Sequence, residues 1–197
     1  MIAQGSPHDT DEQLANTDGA PVVGADVRIV KLDGTPAGPD EEGEIRVKGP
    51  MVFRGYTDPA LNAEAFDSDG YFRTGDLGKL RPDGHLSITG RLKDVIVRKG
   101  ENISAKEIED LLYRHPKVAE VAVIGLPDPE RGERVCAVVQ PAPGEPLSFQ
   151  EMVDYCRQAG LMTQKIPEQL ELRTEEMPRA GTGKIVKNKL KEQYSAR

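Results

Sequence analysis

The sequence is short of three things: cysteine, basic charge and long apolar runs. Its only 2 cysteines, Cys136 and Cys156, each sit inside an apolar segment (Val135–Val139 and Met152–Tyr155). Two are too few for the disulfide framework of a secreted protein, and no CxxC or Cys/His spacing offers zinc ligands. Both read as buried free thiols. Lys plus Arg number 26 against 33 Asp plus Glu, a net charge of −7. Without a basic cluster, nucleic acid and anionic membrane are excluded as main partners. No apolar run approaches the ~18 residues of a spanning helix, so no membrane span is expected. Met1-Ile2-Ala3-Gln4-Gly5 lacks the charged-then-apolar start of a secretory signal. The C-terminal Ser195-Ala196-Arg197 is not the Ser-Lys-Leu peroxisomal address. A cytoplasmic protein is expected.

What is present is a soluble composition, 37% hydrophobic and 30% charged over 197 residues, enough for one or two domains. There is no repeat and no low-complexity stretch. Residues 1–20 are polar and aperiodic and read as a loop or ragged start. From Ala25 short extended pieces follow, broken by Gly, Pro and Asp: Ala25–Leu32, Glu44–Lys48, Met51–Phe53, Phe72–Thr74 and Leu77–Leu80. Pro82-Asp83-Gly84-His85 is a strong turn signal, and Leu86–Thr89 runs back out. This makes an all-β region of about 90 residues. The character changes near Gly90-Arg91. After Val95–Val97, the spacing Ser104-x-x-Glu107 predicts a helix carrying Ile108, Leu111 and Leu112 and ending at His115-Pro116. Val118–Leu126 and Arg134–Gln140 read as strands, and Ser148-x-x-Glu151 opens a second helix to about Ala159. A strand near Leu170–Leu172, a Gly-rich loop at 179–183 and a basic amphipathic tail from Ile185 to Tyr194 complete an α+β region. The expected boundary is at 90–93, dividing 1–90 from 91–197.

Several short motifs carry polar chemistry. Pro178-Arg179-Ala180-Gly181-Thr182-Gly183-Lys184-Ile185 superficially suggests a phosphate-binding loop. That pattern requires Gly, four residues, then Gly-Lys-Ser/Thr, and both Pro178 and Ile185 break it. What remains is Lys184 near the tip of a Gly-Thr-Gly loop, where an ammonium can reach into a neighbouring cleft and stabilise phosphate charge. Asp76, directly after Gly75, can offer a carboxylate to vicinal hydroxyls. Arg91 can add a second ribose or phosphate contact, with Lys93 as a solvated hinge residue. Arg98-Lys99-Gly100-Glu101-Asn102 is a polar loop where a ligand can approach backbone. Each has a plainer reading: a surface loop, a Gly-Asp turn, a charged linker, a connection between elements.

Taken in order, the motifs cease to be independent. Gly43-Glu44-Ile45-Arg46-Val47-Lys48-Gly49, Gly55-Tyr56 and Phe72-Arg73-Thr74-Gly75-Asp76 come first. The run Gly90-Arg91-x-Lys93-Asp94-x-Ile96-x-x-x-Gly100-x-x-Ile103-x-x-x-Glu107-Ile108-Glu109 follows, then Pro178-Arg179-x-x-x-Gly183-Lys184-Ile185. From about Asn16 onward the chain closely resembles the C-terminal part of the adenylate-forming (AMP-binding) enzymes, most of all acyl-CoA synthetases such as fatty-acid–CoA ligases. The family also includes peptide-synthetase adenylation domains and luciferases.

The resemblance implies an α+β architecture: the end of a large domain's β-barrel subdomain at 1–90, then a small mobile domain at 91–197. It implies a two-step ligase. A carboxylic acid attacks the α-phosphate of ATP to give an acyl-adenylate and pyrophosphate, and the thiol of CoA then displaces AMP. By position Asp76 and Arg91 match ribose contacts, Lys93 the hinge, and Lys184 the catalytic lysine between carboxylate and nucleotide. Lys99, Gly100 and Glu101 match the face that replaces Lys184 in the thioester step and binds CoA; Gly100 is expected to lack a side chain because the thiol arm passes close to backbone. One site must serve two transition states, so a small domain swings to present a different face to each. Ala180 stands where the family usually has Thr, a mild departure. The phosphate loop, acyl pocket and magnesium motif are expected upstream, so Mg²⁺ ligands are expected outside this chain, which reads as a fragment inactive on its own whose main partner is its own large domain. Because the chain ends ten residues after Lys187, without a carrier domain, free CoA is the expected thiol. The alternatives are a peptide-synthetase-type adenylation domain, half of a split enzyme, and a free-standing non-catalytic docking module.

Overall fold

In the computed structural model, residues 1–144 and 146–195 are described. Ala196 and Arg197, and with them the end of the C-terminal tripeptide read above, lie outside the described residues. The chain forms two units, Met1–Lys93 and a second from Asp94 onward. The division thus falls a few residues later than the composition change, because Arg91 still belongs to the last strand of the first unit.

The first unit holds strands β1 (Ala3–Gln4), β2 (Ala20–Pro21), β3 (Asp26–Val30), β4 (Gly43–Lys48), β5 (Phe72–Leu80) and β6 (Leu86–Arg91), with helices α1 (Asp11–Asn16) and α2 (Pro59–Ala65). β1 and β2 form a small antiparallel ribbon, and β3-β4-β5-β6 an antiparallel sheet in that order. The sheet is open, and no strand among the described residues closes it into a barrel. Ile29, Ile45 and Leu86 fill its core. Ile45 and Leu86 are fully buried, so truncating either to Ala costs about 3 kcal/mol. The all-β expectation missed both helices. α1 has a complete capping box between Thr10 and Gln13, and α2 starts with Asp58 as cap and Pro59 in the first turn; both signals are in the sequence. The N-terminal segment is not ragged: Arg81 grips Glu12 with two bonds of 3.0 Å. Met51–Phe53 forms turns rather than a strand, and the two pieces at 72–80 are one strand with register shifts against both neighbours.

The second unit holds β7 (Val95–Arg98), β8 (Glu101–Ser104), β9 (Val118–Asp128), β10 (Gly132–Pro141) and β11 (Gln169–Leu172), with helices α3 (Ala105–Leu112), α4 (Phe149–Gln158) and α5 (Lys187–Ser195). β10 is the spine: antiparallel to β9 along its length, parallel to β11, and joined at Gly132 to Arg98 of β7. Alternation divides β9 and β10 between two cores. Val121, Val123, Val135, Ala137 and Val139 pack with Ile108, Leu112, Met152 and Cys156. Ala122, Ile124, Cys136 and Val138 pack on the opposite face with Met177, Leu190 and Tyr194. Both cysteines are free and buried, and burial pushes the Cys136 thiol up to about 12 and that of Cys156 to about 11. Such thiols are inert at neutral pH.

α4 opens with a complete capping box between Ser148 and Glu151, and at α3 the Ser104 side chain caps the Glu107 N–H. Glu151 also accepts from Lys117 Nζ at 2.7 Å, tying α4 to the start of β9. The Lys117 ammonium first, and Ser148 second, hold the Glu151 carboxyl down at about 2 against an ordinary 4.5. A depressed carboxyl stabilises the fold above its unfolded pKa and loses that effect as pH falls through the folded one. Glu151→Gln should therefore lower the melting temperature at pH 6, and the deficit should close as pH falls from 4.5 toward about 2. A deficit that does not change across that window contradicts the assignment.

Candidate functional site

In the first unit, Asp76 and Arg91 are partners across β5 and β6, and Arg91 Nε lies 3.0 Å from Asp76 Oδ1. Gly75 takes φ +69, a left-handed conformation that suits glycine, and Thr74 Oγ1 donates to Ile45 O at 2.7 Å while accepting the Asp76 N–H at 3.0 Å. A glycine kink and a threonine tie therefore fix the backbone that aims Asp76. Both charged side chains keep substantial exposure, 30% for Asp76 and 43% for Arg91, so a polyhydroxyl ligand can reach the pair. A groove of about 840 Å³ in the same unit lies elsewhere, against Val27, Ile29, Arg46, Arg73 and Leu80; neither Asp76 nor Arg91 lines it. Lys93 is exposed in the 3-10 turn Leu92–Asp94 and is the last residue of the first unit.

In the second unit, Lys99 and Gly100 are the two-residue turn between β7 and β8, closed by the Arg98–Glu101 pair. Both have positive φ, 51° and 81°, as a two-residue hairpin of this hand requires. A Cβ on Gly100 would meet nothing within 4 Å. The turn alone therefore accounts for the glycine, and close ligand approach is not needed to explain it. Lys99 in this conformation costs roughly 1–2 kcal/mol. The strain is held from behind: Lys99 N–H donates to Arg131 O at 2.8 Å, and Glu168 joins Arg98 at 2.7 Å to Arg131 at 3.3 Å. Lys99, Gly100 and Glu101 are all exposed.

Lys184 lies on a tight hairpin from Pro178 to Val186. Val186 N–H donates to Pro178 O at 2.7 Å, Ala180 N–H to Lys184 O at 2.9 Å, and Gly183 N–H to Ala180 O at 2.9 Å. Lys184 is exposed and makes no ion pair among the described residues. The hairpin leads straight into α5, whose first residue, Lys187, lies 2.7 Å from Glu109 on α3 and 3.8 Å from Asp94. Burial raises the Glu109 carboxyl, with Lys187 opposing it. In the sequence Glu109 closes the long middle motif and Lys187 lies 78 residues further on; nothing in the spacing tells that they meet.

The two loops occupy opposite ends of one sheet. The Lys99-Gly100 turn sits by Gly132, which pairs with Asp128 and Arg98. The Lys184 hairpin is joined through Arg179 to Glu120, which pairs with Gln140. Eight residues of β10 separate those ends, about 26 Å at ~3.3 Å per residue. No cluster of three or more side chains able to hold a metal exists among the described residues.

A small unit with these two exposed loops follows a sheet that carries an Asp–Arg pair, and comparison gives the family. Residues 107–184 match the AMP-binding enzyme C-terminal domain, and the chain belongs, as a C-terminal part, to the adenylate-forming enzymes. It is 42% identical over 181 residues to the salicyl-AMP ligase / salicyl-S-ArCP synthetase of Mycobacterium tuberculosis, covering 91% of this chain and 32% of that one. It is 40% identical over 192 residues to the medium-chain fatty-acid–CoA ligase of Escherichia coli, covering 93% and 34%. Among solved structures, o-succinylbenzoate CoA synthetase from Bacillus subtilis, in complex with its acyl-adenylate intermediate, aligns with a TM-score of 0.86 at 34% identity. That alignment covers 97% of this chain and 38% of the other. The chain thus spans about a third of the length of the curated relatives it matches. Among the described residues no helix is long and apolar enough to cross a membrane.

Replacing Lys187 by Met leaves the mostly buried Glu109 carboxylate without its near partner, which should cost about 3 kcal/mol in urea unfolding at pH 7. Because the Glu109 carboxyl is already raised, protonation relieves the burial as pH falls, so the loss should shrink by pH 5. A loss that grows toward acid would overturn this account of the pair.

Proposed function

We propose that the chain is the C-terminal part of an ATP-dependent acid–thiol ligase, which activates a carboxylic acid as acyl-adenylate and passes the acyl group to CoA. The observation that carries the reading is the placement of the Lys184 hairpin and the Lys99-Gly100 turn at opposite ends of one rigid sheet. Two loops about 26 Å apart cannot both serve one reacting centre in one arrangement. Two successive steps, each served by one loop, give the separation a use.

In the first step Lys184 approaches the acid carboxylate and the α-phosphate. A compact ammonium offsets charge on both as the oxygen attacks and pyrophosphate leaves. Asp76 and Arg91 hold the ribose hydroxyls and so orient the phosphate. Lys93, the last residue before the second unit, is the hinge about which that unit turns. The second step then brings Lys99, Gly100 and Glu101 to the pantetheine arm, whose thiol attacks the acyl carbonyl and expels AMP. ATP and magnesium are cosubstrates by kinship: a structure of the same o-succinylbenzoate CoA synthetase holds both. The phosphate loop, acyl pocket and magnesium ligands are assigned to an upstream large domain. The cytoplasm, where ATP and CoA occur together, is the proposed location.

A second reading takes the thiol from a carrier domain rather than free CoA. It is favoured by the Mycobacterium relative, named as a salicyl-S-ArCP synthetase, whereas the Escherichia coli relative named as a CoA ligase favours the first. AMP release by the longer polypeptide, with acyl-adenylate and either CoA or a pantetheinylated carrier, separates the two.

In that longer polypeptide, Lys184→Ala should lower acid-dependent adenylation by roughly 100-fold or more while thioester formation from preformed adenylate stays near its original rate. Equal loss in both steps would remove the role given to Lys184. Gly100→Asn keeps a left-handed turn residue yet adds a side chain on the open face. It should slow the thioester step alone. An unchanged thioester rate would take the pantetheine away from this turn.

A further inference from the structure

The geometry points to Arg179 as a positioning residue that sets where Lys184 can reach, an inference that rests on the role given to Lys184 above. The Arg179 guanidinium has two partners. Nη1 donates to Gly183 O at 2.6 Å, and Nη2 is ion-paired with Glu120 on β9. Gly183 O belongs to the peptide whose nitrogen is that of Lys184. Arg179 thus fastens the peptide bond leading into Lys184 to a strand at the heart of the second unit.

The hairpin needs such a fastening. Its tip contains Gly181 and Gly183, the latter at φ +82, and glycine adds conformational freedom that must be lost when the lysine acts. The turn's own bonds, among Ala180, Gly183 and Lys184, hold its shape but attach it to nothing beyond itself. At its base Val186 bonds Pro178 and Lys187 reaches Glu109, which fixes the root of the hairpin and leaves the tip free to pivot. The Arg179–Glu120 pair ties the tip itself to the sheet. A planar guanidinium can hold a carbonyl and a carboxylate in one plane at once; an ammonium on a shorter reach cannot reproduce that fork.

Stability alone is a poor explanation of the pair. The side chains are 42% and 30% exposed, and ion pairs that open to solvent contribute little to folding. What the pair does hold is the placement of one functional group, and small misplacements cost rate steeply.

The test uses Arg179→Met and Glu120→Gln, with Arg179→Lys as the conservative variant and Lys184→Ala as the reference. In the longer polypeptide, Arg179→Met should lower the adenylation kcat by roughly ten- to a hundredfold with KM for ATP little changed. Thioester formation from preformed adenylate and the melting temperature should be unaltered. Glu120→Gln should move in the same direction by less, and Arg179→Lys should recover only part of the rate. In the 197-residue chain, Arg179→Met should speed hydrogen exchange at the Gly183 amide without changing exchange in β9 and β10. If Lys184→Ala depresses adenylation but Arg179→Met does not, the positioning role is wrong and the reading of Lys184 stands. If Lys184→Ala spares adenylation, the reading of Lys184 fails and the inference falls with it. Equal loss in both half-reactions, or unchanged exchange at Gly183, also overturns it.

Discussion

The pairing of β9 with β10 is the constraint on which the second unit is built. Backbone bonds run from Val118 to Asp128 on one strand and from Gly132 to Pro141 on the other. Two hydrophobic cores clamp the pair from both faces. A strand pair so fixed acts as a spacer of set length. Whatever is attached at Gly132 stays at one end, and whatever is attached at Glu120 stays at the other. The turn carrying Gly100 and the hairpin carrying Lys184 are attached at those places, so their separation is a property of the core rather than of either loop.

The same contrast between core and edge explains how the polar network is distributed. Where a charge is buried, as at Glu109, it has an ammonium at close range and a backbone N–H from Val123 at 2.7 Å. Where a group is proposed to act on a ligand, as with Lys184 or the Asp76–Arg91 pair, it is exposed and its backbone is fixed by neighbours. Thr74 and Gly75 fix Asp76, Arg131 and Glu168 brace Lys99, and Arg179 holds the peptide ahead of Lys184. Positioning falls to residues next to the chemistry, which keeps the reactive side chains free for a partner.

Much of the architecture was legible because it rests on local signals. Ser148 with Glu151 announced α4, Ser104 with Glu107 announced α3, and residues 118–126 and 134–140 read as strands because apolar residues dominate them. α1 and α2 went unread although Thr10 with Gln13 and Asp58-Pro59 carry the same kind of signal: residues 1–20 read as a polar loop, and residues 59–65 fell inside the stretch read as all-β. The ion pairs could not be read at all. Glu120 to Arg179 spans 59 residues and Glu109 to Lys187 spans 78, and only the packing of α5 and the hairpin against β9 brings them together. Gly100 is a case of a residue identified for one reason and explained by another: the motif marked it, and the hairpin's positive φ requires it.

The central claim is that opposite ends of one sheet serve successive steps of one reaction. Hydrogen exchange on the longer polypeptide tests it directly, first with ATP and a carboxylic acid substrate, then with a stable acyl-adenylate analogue and CoA. The account predicts that protection falls on residues 180–184 in the first state and moves to residues 99–101 in the second. Protection of the same loop in both states would contradict it.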